Sequence, residues 1–265
     1  MTLQDIADNL RQDLASRIER SGIMYRLFGR AKTMASIQHK ISIKGDSYKS
    51  GKGKINDIIG LRIVVYFPDD VDVLAMYFDD SSVVKRHIDT PDTDTFRPQC
   101  LNITKPLPEN FIEDFRAALP IDVAPYIDNT YEIQIRTVFS EGWHEVEHDL
   151  RYKCKEDWEG YDQHGRTLNG ILATLETSEW ALRSLFHQMA HTNMAHGNYR
   201  AMLRNKMRIR LKSTDFSPAI YDYLKSHPST VEAFINSDRL VVLFSLMMHK
   251  EAIPLTYDNI LFLIN

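Results

Sequence analysis

The sequence predicts an α+β protein: a mixed sheet of about five strands, flanked by helices, with a helical C-terminal extension. Three observations lead there. Segments rich in β-branched and aromatic residues lie before Val138. From Val138 onward the apolar spacing is helical. The longest apolar run, Leu240 to Met248, is far shorter than the ~20 residues that a bilayer span needs, so no membrane partner is expected.

Leu3, Ile6, Leu10, Leu14 and Ile18 recur at helical spacing, which predicts an amphipathic helix over residues 2–20, broken at Gly22. A second helix is expected over 32–41. Residues 42–54 then read as a polar loop carrying Gly45, Gly51, Gly53, Lys44, Lys49, Lys52 and Lys54, able to close over a bound nucleotide or to stay solvated. Leu61 to Phe67 reads as a buried strand, ended by Pro68-Asp69-Asp70, with a helix over 71–78. Val83-Val84 fits a strand, Asp89 to Pro98 a polar loop, and 108–118 a helix. Tyr131 to Arg136 alternates fully. Tyr131, Ile133 and Ile135 therefore share one face, and Glu132, Gln134 and Arg136 the other. Trp143, Val146 and Leu150 form a helical stripe; a long helix over 167–190 carries Leu168, Leu172, Leu175, Leu182 and Leu185 on its expected core side. Short helices follow, with start signals at Ser217-Pro218 and Thr256. The expected division is a domain over 1–200 and an extension over 201–265.

Composition narrows the function classes. A net charge of -4 argues against a non-specific nucleic-acid coat protein. Two isolated cysteines, Cys100 and Cys154, do not read as a disulfide framework, and the charged N-terminus has no apolar signal core; a cytoplasmic location is expected.

Lys32, Ser36 and Lys40, spaced i, i+4, i+8, would line one helix face as a polyphosphate grip, or a solvated basic face. Arg30, just before them, can stack on a nucleobase. Asp57 stands ahead of a buried strand among apolar residues, as a cap or a metal ligand. Magnesium takes one or two carboxylates plus substrate phosphates, so Asp57 needs a partner, and Glu132 can be it. Arg62, inside a strand, would be costly if buried unpaired. A competing pattern is His144-Glu145-Val146-Glu147-His148, the His-Glu-x-x-His of zinc proteases, with Glu179, His187 and His191 as loose third ligands. Arg200, Arg204, Lys206, Arg208, Arg210 and Lys212 form a basic cluster that would dock an anionic acceptor such as tRNA, or remain a solvated face.

Gly29-Arg30-x-Lys32 with Ser36, Ile37 and Lys40, then Asp57-Ile-Ile-Gly-Leu-Arg62, then Glu132-Ile-Gln-Ile-Arg-Thr137, then Trp143-x-Glu-x-Glu-His148 with Tyr152-Lys153, occur in that order. The set resembles the synthetase domain of the RelA/SpoT alarmone enzymes, over about residues 1–190. The resemblance implies that fold, and transfer of the β,γ-pyrophosphate of ATP to the 3′-hydroxyl of a nucleotide, releasing AMP. It also implies a Mg2+ cofactor at Asp57 and Glu132, the catalytic pair. Arg30 would stack on the adenine, and Lys32, Ser36, Lys40 and Arg62 would bind the ATP phosphates. On the acceptor side the resemblance points to Gln134, Arg136, His148 and Lys153.

The family's acceptor loop, Pro-Lys-x-Asn-Gly-Tyr-x-Ser-x-His, is missing. Asp89 to Pro98 stands in its place, offering Phe96 as a stacking ring and Arg97 as a polar contact. The acceptor therefore stays open among GDP or GTP, an adenine nucleotide and the 3′ end of tRNA. A small alarmone synthetase, or a toxin on that domain with a neutralising antitoxin, fits. A homo-oligomer is a further expectation. A non-catalytic nucleotide-binding module is the alternative class.

Overall fold

Alternation of side chains along five segments builds one sheet in the computed structural model, which describes residues 1–49, 53–88 and 100–264, the side chains of 44–49 and 88 aside. The strands are β1 (Tyr25–Ala31), β2 (Ile59–Val65), β3 (Lys85–Ile88), β4 (Leu101–Pro106) and β5 (Thr130–Thr137), in the order β1-β2-β5-β4-β3. β2 and β5 run parallel; the other neighbours pair antiparallel. Register lines up Arg30, Gly60 and Glu132 in one row and Phe28, Arg62 and Gln134 in the next. The opposite face carries Leu61, Ile63, Ile133 and Ile135, all buried.

Helix α1 (Leu3–Ile18) covers that apolar face, burying Leu3, Ile6, Ala7, Leu10, Leu14 and Ile18. It starts where predicted because Thr2 and Asp5 exchange bonds as a capping box. Gly22, at φ 72°, makes the left-handed exit after it. Gly29 is required for close approach: a Cβ there would lie 3.1 Å from the Ala7 carbonyl oxygen and 3.3 Å from Leu61.

The remaining helices are α2 (Met34–Lys49), α3 (Pro68–Phe78), α4 (Glu109–Ala117), α5 (Val138–Glu147), α6 (Asp162–Ala195), α7 (Tyr199–Met207), α8 (Pro218–Ser226), α9 (Pro228–Asn236), α10 (Arg239–Met248) and α11 (Tyr257–Phe262). Pro218 begins α8 and Thr256 caps α11, as their sequences foretell. The five-residue wide turn His148–Tyr152 continues α5.

Several expectations need correction. β1 was not foreseen. Its alternation is short and interrupted by Gly29. α2 begins after Lys32, whose N–H still extends the sheet by donating to the Ile58 carbonyl at 2.8 Å, and it runs on through residues read as a loop. The Val83-Val84 strand lies slightly later, as β3. Trp143 is buried, but Val146 and Leu150 are exposed, as is Leu185 on α6; periodicity marks an apolar face without saying that anything covers it. The 200/201 boundary falls inside α7. The helical C-terminal region is present as expected, and Met202, Met207, Leu243 and Leu246 pack it into the same core cluster as the sheet. Arg208 leaves the expected basic surface: it is buried and paired with Asp69. Gly51, Lys52, the Asp89 to Pro98 loop, Phe96 and Arg97 lie outside the described residues.

Candidate active site

The polar face of the sheet carries the chemistry because period-two alternation puts Phe28 and Arg30 of β1, Gly60 and Arg62 of β2, and Glu132 and Gln134 of β5 on one side. They floor a cavity of about 350 Å³. Gly60, with open space where a Cβ would be, leaves the row between Arg30 and Glu132 clear. The segment between α2 and β2 adds Asp57, and α5 adds Glu141 and Glu145 as one wall.

Asp57 is the hub of the cation side. Lys32 bonds one carboxylate oxygen, and Lys40 of α2 lies 3.1 Å from both. Burial alone would raise this carboxyl, but the two ammonium groups outweigh it and hold it below the ordinary aspartate value. Arg62 is the hub of the other side. It donates to Glu141 at 2.6 Å, to Glu145 at 2.5 Å and to Gln134 at 3.2 Å. Burial works against its charge, yet the two carboxylates raise its pKa. Gln134 also donates to Glu132 at 2.9 Å. The cavity thus holds three cationic side chains, Arg30, Lys32 and Arg62, facing four carboxylates.

Of the residues expected from sequence, Arg30, Lys32, Asp57, Arg62, Glu132 and Gln134 meet in this cavity, and Lys40 joins through Asp57. Others do not. Ser36 is exposed and bonds Thr33 at 2.9 Å. Arg136 follows Glu132 and Gln134 on the same face of β5 but is buried, its Nε donating to Cys100 Sγ at 3.1 Å and its Nη1 to Glu141 at 3.2 Å. His148 is stacked between His144 and Tyr152, with centroids 5.5 and 5.6 Å away. Lys153 pairs with Asp149 at 2.6 Å.

Phe28, Glu141 and Glu145 were missed as site residues. Glu141 and Glu145 are an i, i+4 carboxylate pair, which in sequence looks like any solvated helix face. The zinc pattern gains no support from geometry. Among the described residues no group of three His, Cys, Asp or Glu is arranged to hold a metal, and the suggested third ligand Glu179 accepts from Thr137. His144 is pushed down to about 4 by burial, with Arg136, His148 and Arg62 adding to the shift.

Residues 29–157 match a family model described as a region found in RelA / SpoT proteins. This match to the RelA/SpoT region spans just under half of the chain. All the cavity residues but Phe28 fall inside it. GTP pyrophosphokinase YwaC of Bacillus subtilis (strain 168) is 34% identical over 136 residues, covering 48% of this chain and 58% of that protein. The chain therefore spans little more than half the length of this relative. Among solved structures, small alarmone synthetase 2 from Bacillus subtilis superposes with a TM-score of 0.50 at 22% identity, over 69% of this chain and 94% of that one. A GTP pyrophosphokinase family protein from Streptococcus pneumoniae gives 0.49 at 21% identity, over 69% and 95%. The likeness to the first of these structures establishes that the RelA/SpoT region shares its fold.

Proposed function

We propose that this chain is an ATP-dependent pyrophosphokinase, moving the β,γ-pyrophosphate of ATP to the 3′-hydroxyl of a nucleotide and releasing AMP. The carrying observation is that Asp57 and Glu132, from separate segments, line one cavity with Arg30, Lys32 and Arg62. In the proposed step the acceptor oxygen bonds to the β-phosphorus, the bond to the α-phosphate bridging oxygen breaks, and Glu132 takes the hydroxyl proton. Arg30 stacks on the adenine. Lys32 and Lys40 move from Asp57 to phosphate oxygens, where their charge offsets that of the transferred group. Arg62 turns part of its donor fork toward the same group.

The donor set fits magnesium, which takes one or two carboxylates and completes its shell with phosphates and water. Asp57 and Glu132 would hold it, and when bound it supplies charge neutralisation at the phosphates.

The name of the YwaC relative makes a guanine nucleotide the first acceptor to test, with adenine nucleotides and the tRNA 3′ end as the variants that the altered 89–98 segment invites. Phe96 and Arg97 are proposed acceptor contacts, with Gln134 on the cavity floor. Arg136, buried further along the same face, acts through Glu141, and His148 and Lys153 contact the part of the acceptor that reaches past α5. We place the activity in the cytoplasm, as signal synthesis or as a toxin with an antitoxin; no helix among the described residues is long and apolar enough to cross a membrane. A second reading is a binding module without turnover. It is favoured by the mutual pairing of Asp57 with Lys32 and Lys40, and of Arg62 with Glu141 and Glu145.

Incubation with labelled ATP, magnesium and GDP, GTP, ATP or tRNA separates the two. AMP release with a 3′-pyrophosphorylated acceptor is the expected result. Nucleotide binding without AMP release under any of these conditions favours the module.

A further inference from the structure

A second cavity, of about 500 Å³, lies among α6, α7, α3 and the start of α10; Asp69 and Asp72 of α3 are its only lining residues within 29–157. It shares no lining residue with the first. Four cationic side chains reach it. Arg208 and Arg239 are already committed: Arg208 pairs with Asp69, and Arg239 bonds Asp69 at 3.2 Å and Asp70 at 2.6 Å. The other two have no carboxylate within salt-bridge distance among the described residues. Lys206 is half-buried, with no hydrogen bond or ion pair among the described residues, and Arg183 only rests over the Trp180 ring at 5.2 Å.

A half-buried ammonium that no carboxylate or carbonyl bonds directly is costly to keep folded. Burial depresses the Lys206 pKa and Arg208 and Arg239 add to the fall, which the nearby Asp238 and Asp69 offset only in part. Two further features set the same sign. The first turn of α10, a ten-residue helix, supplies Ser237, Asp238, Arg239 and Leu240 to the wall, so its positive end faces the space. Arg208 stands in a left-handed conformation at φ 49°, the one non-glycine residue with positive φ among those described, and strain of this kind gathers at binding sites. Its Nε is buried with no acceptor. The acidic neighbours do not cancel this. Asp69 is taken by two arginines, Asp238 caps α10 by accepting the Leu240 N–H, and Asp72, although it feels the Arg183 charge, makes no ion pair with it.

We propose that this cavity binds the phosphate group of a small phosphorylated molecule, with Lys206 and Arg183 as its direct cations. The room exceeds that of a bare phosphate, and the half-exposed Trp180 indole at its edge offers a flat ring for an attached base or sugar.

Calorimetric titration of the full chain with inorganic phosphate and with AMP tests this. Lys206→Met and Arg183→Met should each weaken phosphate binding at least tenfold, while Lys32→Ala in the first cavity leaves this binding event in place. Equal affinity for phosphate and AMP means the phosphate group alone is read. A tighter fit for AMP that Trp180→Ala removes means the ring is read too. Binding that survives both methionine variants, vanishes in Lys32→Ala alone, or is absent at millimolar ligand overturns the proposal. So does a lowered thermal midpoint for unliganded Lys206→Met, since removing an ammonium held only for a ligand should leave the midpoint unchanged or higher.

Discussion

Glu141 holds two arginines of adjacent strands at once: its Oε1 lies 2.6 Å from Arg62 and its Oε2 3.2 Å from Arg136. Arg62 is thereby kept over the cavity with donors to spare, and Arg136 is kept buried two residues beyond Gln134 on the same face of β5. Glu141→Gln retains the shape and removes the charge. A weakened charged bond to a buried arginine should cost about 1–3 kcal/mol of stability, read by urea unfolding. In the pyrophosphokinase reading it should also raise KM for ATP several-fold, because Arg62 is no longer pre-positioned. An unchanged KM would leave Arg62 out of ATP binding.

Asp57→Asn and Glu132→Gln should each lower AMP release by about 100-fold or more without unfolding the protein, since both side chains line the cavity, and Asp57→Asn should also give up the stabilisation that Lys32 and Lys40 lend the carboxylate. Turnover at the parent rate in either variant would refute the assignment. The pH dependence has a definite sign. The Asp57 carboxyl is held below the ordinary 3.8, so its contribution to stability is present above that value and is lost only as pH falls through the depressed one. An acid limb of AMP release between pH 5 and 7 therefore belongs to another group.

His144 gives a second titration, of opposite charge type. Its pKa is down at about 4 from 6.5, through burial first and then the nearby cations. Between these values the unfolded chain binds a proton that the folded chain does not. Stability must fall as pH drops from about 6.5 to 4, and is fully present above that window. The full shift sets a ceiling of about 3 kcal/mol, and partial exposure of the ring brings the expectation nearer 2 kcal/mol. The difference in unfolding free energy between the parent and His144→Gln, measured at pH 7 and pH 4.5, should shrink by that amount. An equal difference at both values would refute it.

Gly29→Ala should destabilise by about 1–3 kcal/mol, because the new methyl meets the Ala7 carbonyl at 3.1 Å and the Arg11 Cβ at 3.2 Å, both on a packed helix with little room to retreat. Chemical denaturation reads this directly. The displaced strand also carries Arg30, so KM for ATP should rise alongside.

The same glycine explains what sequence reading could and could not see. Tyr131 to Arg136 alternates without a break, so β5 and the facing of Glu132 and Gln134 were legible. Tyr25 to Ala31 also alternates, but Gly29 removes one apolar side chain from its short pattern, and the strand disappeared from view. α2 was cut short because Gly45 and a lysine-rich composition resemble a loop. In the site, Asp57 and Arg62 stood out because charge beside a buried strand demands an account. Their partners Glu141 and Glu145 did not, since helix carboxylates are ordinary until a strand arginine is found to face them.

The deepest ion pair joins the RelA/SpoT region to the C-terminal helices. Asp70 of α3 is fully buried and accepts from Arg239 of α10 at 2.6 Å, with one carboxylate oxygen left unbonded. Both charges were removed from water to make this contact, so the pair is worth less than the loss of one member suggests. Asp70→Ala leaves the buried Arg239 with the Met207 carbonyl and one carboxylate, Asp69, already shared with Arg208, and should cost about 3–5 kcal/mol. Arg239→Met should cost a similar amount by stranding Asp70. The double variant Asp70→Ala/Arg239→Met strands neither and should fall well short of the sum, by at least about 2 kcal/mol of coupling in a double-mutant cycle. Additive losses would mean that the two side chains hold α3 and α10 by separate contacts and that the charge pairing itself contributes nothing.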